Sequence, residues 1–214
     1  MSVCESEIDE RKNLRIECPS QVTIGVLGLQ GDFDAHIKMV EQIDGVTPRI
    51  IKQPRDLEEC SGLILPGGES TTVGKLMERY GIDTAIGQRV SEGMAVFGTC
   101  TGMILLAKEI ENSDQQRLGL MDITVRRNAF GRQVDSFETD INIPEIGSDP
   151  INAVFIRAPF VTQVRGDARI LYKLDDERIV FVRQNKLLAA AFHPELTADT
   201  RVHQYFVNIA RGIA

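Results

Sequence analysis

The chain has 214 residues, enough for one sizeable hydrophobic core. Its 24 Lys and Arg against 31 Asp and Glu leave a net charge of −7, and no basic stripe is interleaved with aromatics. This argues against a nucleic-acid partner but leaves room for a local patch that holds a small anion. The four cysteines, at positions 4, 18, 60 and 100, show neither zinc nor disulfide spacing, no apolar run approaches the ~18 residues of a membrane span, and the start lacks a signal-peptide pattern. A reducing cytoplasm is the expected compartment, with no membrane partner.

Residues 1–20 are charged and non-periodic and read as an N-terminal extension, flexible or peripheral, ahead of one domain over 21–214. Residues 22–29 (VTIGVLGL) are apolar, β-branched and bounded by glycine, which predicts a buried strand. Helical spacing follows over 33–43, then short strands at 49–52 and 62–65, the second ending abruptly at Pro66-Gly67-Gly68. Helices are predicted over 71–80 and 82–92, a strand over 95–98 and a helix over 102–110. Short apolar strands alternating with helices predict an α/β fold: a three-layer sandwich with a mainly parallel central sheet covered on both faces.

The second half is richer in strands, expected at 123–126, 137–143, 153–156, 169–173, 178–182 and 187–192. Several of these are expected to pair antiparallel and extend the main sheet. A helix over 199–209 closes the chain, with Val202, Phe206, Val207 and Ile209 as its apolar set.

Active groups in such sheets collect at the carboxyl ends of parallel strands. Three features fall there. Gly98-Thr99-Cys100-Thr101-Gly102 joins an apolar strand to a helix, the layout of a nucleophile elbow with Cys in place of Ser. Taken alone, a free cysteine is more often a small buried hydrophobe. Pro66-Gly67-Gly68-Glu69-Ser70 bares backbone N–H groups that can face an oxyanion, and it reads equally as an ordinary strand-to-helix turn capped by Ser70 or Thr71. His193-Pro194-Glu195 places an imidazole and a carboxylate two residues apart, on one side of an extended segment. Together these give a cysteine, a base and an orienting carboxylate. His36 reads as structural or exposed, and His203 as lying on a solvated helix face. Gly25, Gly28 and Gly31 do not make the G-x-G-x-x-G of a dinucleotide site. Arg126, Arg127 and Arg157 read as surface arginines or as holders of a substrate carboxylate.

The chain resembles the class I (triad) glutamine amidotransferases and, more narrowly, the glutaminase subunits of pyridoxal 5′-phosphate synthase. The resemblance runs from Thr23 to the C-terminus. It is carried by IGVLGLQGD (24–32), LILPGGESTT (63–72), FGTCTGMILLAKEI (97–110), VRRNAFGRQVDSFETD (125–140), VFIRAP (154–159) and FHPELTADTRVHQYF (192–206). It implies that Cys100 attacks the glutamine carboxamide, His193 moves the proton and Glu195 orients His193. It implies an oxyanion hole from the Gly68 and Thr101 N–H groups, and glutamine held by Gly68, Glu69, Ser70, Arg127, Ile156 and Arg157. Gln30 would belong to a switch operated by the partner. That partner would be a (β/α)₈-barrel synthase subunit in a large ring-shaped hetero-oligomer, which receives the ammonia through a channel. No cofactor or metal is implied, since pyridoxal 5′-phosphate is the product of the complex. The elbow reads Cys-Thr-Gly where that family usually has Cys-Ala-Gly, and the extension over 1–20 exceeds its usual short start. Competing readings are a glutaminase feeding another acceptor, a redox-sensing cysteine on the same architecture, and a cysteine peptidase or thioesterase.

Overall fold

A computed structural model describes residues 21–127 and 136–214. The extension expected over 1–20, and most of the FGRQVDS run that helped to carry the resemblance, lie outside the described residues.

The first half winds strands and helices alternately. Strand β1 (Val22–Leu27) leads to helix α1 (Phe33–Glu41) and strand β2 (Val46–Ile51), and a short 3₁₀ turn (Pro54–Leu57) precedes β3 (Gly62–Leu65). Helices α2 (Ser70–Tyr80) and α3 (Ile82–Ser91) come next, then β4 (Ala95–Thr99), α4 (Thr101–Leu106) and β5 (Ala107–Ile110). The second half contains β6 (Met121–Arg126), β7 (Ser136–Ile141), β8 (Ile151–Ile156), β9 (Phe160–Val164), β10 (Arg169–Lys173), β11 (Ile179–Gln184) and β12 (Leu187–Ala190). It ends with a 3₁₀ turn (Pro194–Leu196) and α5 (Arg201–Arg211).

Strand order in the main sheet is β2-β1-β3-β4-β12-β11-β9-β6-β5, with β10 paired to β11. The left half, from β2 to β12, is parallel throughout, and β12-β11, β11-β9 and β9-β6 are antiparallel. The expected α/β class and antiparallel extension are therefore present. β3, β4 and β12 are buried at every position, as strands covered on both faces must be. Pro48 is tolerated in β2 because that strand forms the edge.

Four features differ from the sequence reading. The helix expected over 102–110 stops at Leu106, and residues 107–110 become β5, paired parallel with β6. Sheet pairing overrides the helical spacing there. The strands expected at 137–143 and 153–156 form a separate two-stranded ribbon, β7-β8, outside the main sheet. Strand β9 was not expected at all. β2 starts at Val46, three residues before the expected 49.

One cluster of buried apolar side chains fills both faces of the sheet, with Phe97, Phe181, Phe192 and Phe206 among its largest fully buried members. α5 packs on β1 and β4 through Val202, Phe206 and Ile209, and His203 lies on the same face, fully buried. The solvated position expected for His203 is thus corrected: it precedes Phe206 and Val207 by three and four residues, which puts it on the apolar stripe.

Candidate active site

The four neighbouring parallel strands β1, β3, β4 and β12 end on one edge, and each delivers one part of the site. Leu65 stands beside Gly98, and Thr99 beside Ala190, so the glycine turn, the elbow and the His193 segment start at the same level. Gln30 follows β1.

Cys100 occupies the tip of the elbow with φ 49° and ψ −100°, a conformation that L-residues rarely adopt. Backbone bonds fix it on both sides: its N–H donates to the Ala190 carbonyl at 2.7 Å, and its carbonyl accepts from Met103 N–H at 3.1 Å. The flanking glycines are required by close approach. A methyl on Gly98 would collide with the Gly102 backbone, and one on Gly102 with the Leu65 carbonyl. Cys100 is 9% exposed and lines the cavity, and its thiol lies 3.9 Å from the Ile156 carbonyl, a weak S–H···O contact.

His193 reaches the site from the end of β12, and its N–H donates to the Val154 carbonyl at 2.8 Å, which ties it to β8. Its Nδ1 stands 2.7 Å from Glu195 Oε1, and its ring lines the same cleft as Cys100. Burial alone would lower the His193 pKa, but the contacts with Cys100 and Glu195 outweigh it and raise the pKa to about 10. For Glu195, burial works to raise the pKa. His36 and His193 together outweigh it and hold the carboxyl well below the usual carboxylate range.

The glycine turn after β3 is held from three sides. The Gly67 carbonyl packs against Gly31, where a methyl would collide with it, so the planar trans peptide aims the Gly68 N–H away from Gly31. The Gly68 carbonyl accepts from the Thr101 hydroxyl, and the Glu69 N–H donates to Gln30 Oε1 at 2.7 Å. The cap of α2 is Glu69 and not the expected Ser70 or Thr71. Its carboxylate accepts from Thr71 N–H at 3.0 Å, and from the N–H and hydroxyl of Thr72, both at 2.7 Å. The Thr72 hydroxyl and these N–H groups outweigh burial and lower the Glu69 pKa to about 2.

A cleft of about 470 Å³ opens over the elbow. It is lined by the expected Gln30, Gly68, Glu69, Ser70, Cys100, Thr101, Arg127, Ile156, Arg157 and His193, with Glu195 behind His193. Ile104 also lines it and was not singled out from the sequence. That volume is in the range of small-molecule sites. Arg127 enters from the end of β6, with Nη2 3.9 Å from Glu69 Oε1. Arg157 follows β8 with φ 42°.

Sequence reading missed Gln115. Its Oε1 accepts from Ser70 Oγ at 3.3 Å, from Thr71 Oγ1 at 3.4 Å and from Arg127 Nη1, which joins the α2 start to the arginine. It lies in a loop with no pattern to mark it. It also missed His36 and His203 as neighbours of Glu195. Apolar residues at i+3, i+4 and i+7 from His36 (Met39, Val40 and Ile43) were the available signal.

A thiol beside an imidazole that a buried carboxylate holds, under a turn with bared N–H groups, can carry out acyl transfer through a covalent thioester. Among the described residues no group of three or more His, Cys, Asp or Glu could hold a metal ion, and no helix is long and apolar enough to cross a membrane.

The chain is 51% identical over 191 residues to the pyridoxal 5′-phosphate synthase subunit PdxT of Carboxydothermus hydrogenoformans, covering 89% of this chain and 99% of that one. It is 55% identical over 185 residues to the protein of the same name from Desulforudis audaxviator, covering 86% and 97%. A solved structure described as a glutamine amidotransferase superposes with a TM-score of 0.83 at 46% identity, covering 87% of this chain and 98% of that one. PurLQS of Thermotoga maritima, 15% identical with a TM-score of 0.66 over 88% and 98% of the two chains, shares the fold. The model of the SNO glutamine amidotransferase family matches residues 26–211, most of the chain, and the chain belongs to that family.

Proposed function

We propose that this chain is the glutaminase subunit of a pyridoxal 5′-phosphate synthase, which hydrolyses L-glutamine to L-glutamate and ammonia. The observation that carries the reading is the line Cys100–His193–Glu195 at the ends of β4 and β12, under the Gly68 turn and within one cleft. The names of relatives half identical over nearly their whole length support the choice of complex.

Glutamine binds with its carboxamide over Cys100 and its α-carboxylate toward Arg127. Gly68, Glu69, Ser70, Ile156 and Arg157 complete the pocket. As sulfur attacks the carboxamide carbon, His193 takes up the thiol proton, a transfer favoured by its raised proton affinity. The oxyanion is received by the Gly68 and Thr101 N–H groups. His193 then protonates the departing nitrogen as the C–N bond breaks, which leaves a γ-glutamyl thioester and ammonia. Water, deprotonated by His193, adds to the thioester, the C–S bond breaks and the proton returns to sulfur. No cofactor enters this scheme.

Ammonia passes to the synthase subunit, a (β/α)₈ barrel in a ring-shaped hetero-oligomer, where it is built into the product. Gln30, bonded to the Glu69 N–H, couples the glycine turn to the loop after β1 and thereby to the docked partner. A cytoplasm that keeps thiols reduced suits a free nucleophilic cysteine.

The test is glutamate release by this chain alone, then with a synthase subunit added, with Cys100→Ala as the blank. Release that depends on Cys100 and is stimulated by the synthase is the expected result. Loss of both glutamine-dependent and ammonium-dependent synthesis in Cys100→Ala, with the complex assembled, would contradict the division of labour. No glutamate from a folded wild-type complex would favour a redox-sensing cysteine.

A further inference from the structure

Behind the site, the far oxygen of Glu195 meets His36, which in turn meets His203, and the scheme above uses neither histidine. His36, from α1, and His203, from α5, are both fully buried. His36 Nε2 lies 3.4 Å from Glu195 Oε2 and 3.2 Å from Thr99 Oγ1, and its Nδ1 lies 2.9 Å from His203 Nε2. His203 Nδ1 is buried with no hydrogen-bond partner among the described residues.

That unpartnered atom sets the direction of the whole chain of bonds. A proton on His203 Nδ1 would be a buried donor without an acceptor, the costlier way to leave a ring nitrogen alone. The proton of His203 therefore belongs on Nε2, where it is donated to His36 Nδ1. His36 Nδ1 is then an acceptor, so the N–H of His36 is on Nε2, which is bonded to Thr99 Oγ1 and stands 3.4 Å from Glu195 Oε2. Glu195 has the His193 Nδ1 on Oε1, while its Oε2 is buried with no hydrogen bond among the described residues and faces His36 Nε2 at 3.4 Å. With Nδ1 of His193 committed as the donor to Oε1, Nε2 of His193 is the nitrogen left for Cys100. Burial also disfavours a charge on His203, whose pKa falls to about 3.

We infer that His36, backed by His203, is a positioning residue for the catalytic pair: lying 3.4 Å from the far oxygen of Glu195, it confines the carboxylate that holds His193 Nδ1 and thereby leaves His193 Nε2 to face the thiol. The inference rests on the glutaminase reading for its kinetic consequence, and on hydrogen-bond geometry alone for its tautomer pattern.

Two measurements test it. In the wild-type chain, nitrogen-15 NMR of the imidazoles should show His203 and His36 protonated on Nε2 only. A proton on Nδ1 of either would overturn the inference, whatever the protein's activity. In the assembled complex, His36→Phe keeps a ring and removes both polar atoms. It should lower kcat for glutamine hydrolysis roughly 10–100-fold, the range found when outer partners of an oriented imidazole are removed, with KM changed little. His36→Gln, which retains a donor toward Glu195, should recover much of that loss. Equal kcat in wild type and His36→Phe, or loss confined to KM, would overturn the positioning role. An inactive wild type with the expected tautomers would instead count against the glutaminase reading alone.

Discussion

The hydroxyl of Thr101 donates to the carbonyl of Gly68 at 2.5 Å. The residue next to the nucleophile thereby grips the turn on the other side of the cleft. The same peptide is held at its other end by Gln30 through the Glu69 N–H, so a threonine and a glutamine from two loops together set how the turn faces Cys100.

Thr101→Ala removes one of these two holds and leaves its own backbone N–H in place. One hydrogen bond to a neutral carbonyl contributes about 1 kcal/mol, so glutamine turnover in the complex should fall roughly fivefold. Steady-state kinetics should place the loss in kcat. A rate equal to wild type would mean that the turn holds its place without the Thr101 hydroxyl.

His193→Asn keeps a polar side chain of smaller size but cannot exchange protons. Removal of a positioned base costs ~10²–10⁴-fold. Glutamate release should drop by that order, while synthesis from added ammonium continues. Wild-type glutaminase rates in this variant would refute the assigned role.

In the proposed scheme Arg127 meets the substrate carboxylate, and Gln115 holds the arginine from the side. A charge-assisted hydrogen bond is worth about 1.5–3 kcal/mol, so Arg127→Ala should raise KM for glutamine about 10–100-fold. Gln115→Leu, which keeps the arginine but frees it, should raise KM by less. A substrate amide lacking the α-carboxylate should not distinguish Arg127→Ala from wild type.

Stability should fall on acidification in a window set by His203. Its pKa is lowered from 6.5 to about 3 in the folded protein, chiefly by burial, so the unfolded chain binds the proton first. The stabilising contribution is present above pH 6.5 and is lost as pH falls toward and through about 3. Thermal melting followed across that window should show a steeper decline for wild type than for His203→Gln. Parallel curves would contradict the assignment. Glu195, whose pKa is also lowered, acts with the same sign at the acid end of the window.

The parts of the site that could be read in advance were those fixed by local chemistry. A strand ending in two glycines, a cysteine between glycines and a His-Pro-Glu run each announce a turn and a reactive group within a few residues. The left half of the sheet was legible for the same reason: β1, β3 and β4 are short apolar runs bounded by breakers. What was not legible depends on long-range pairing. Residues 107–110 (AKEI) fit a helix by themselves and become strand β5 only because β6 offers an edge. Gln115 matters only because Ser70, Thr71 and Arg127 converge on it. His36 and His203 lie 167 positions apart, and no local pattern says that they touch.

The strained elbow sets the proposed nucleophile against the fold that holds it. Holding Cys100 at φ 49° and ψ −100° costs of order 1–3 kcal/mol, a cost that glycine would largely escape. Cys100→Gly and Cys100→Ala are both without a nucleophile, but the glycine variant should melt at the higher temperature. The surrounding sheet therefore has to keep reserve stability to hold its sulfur in place. Mild core damage would spend that reserve, and glutamine turnover would fail at temperatures where the sheet itself still stands.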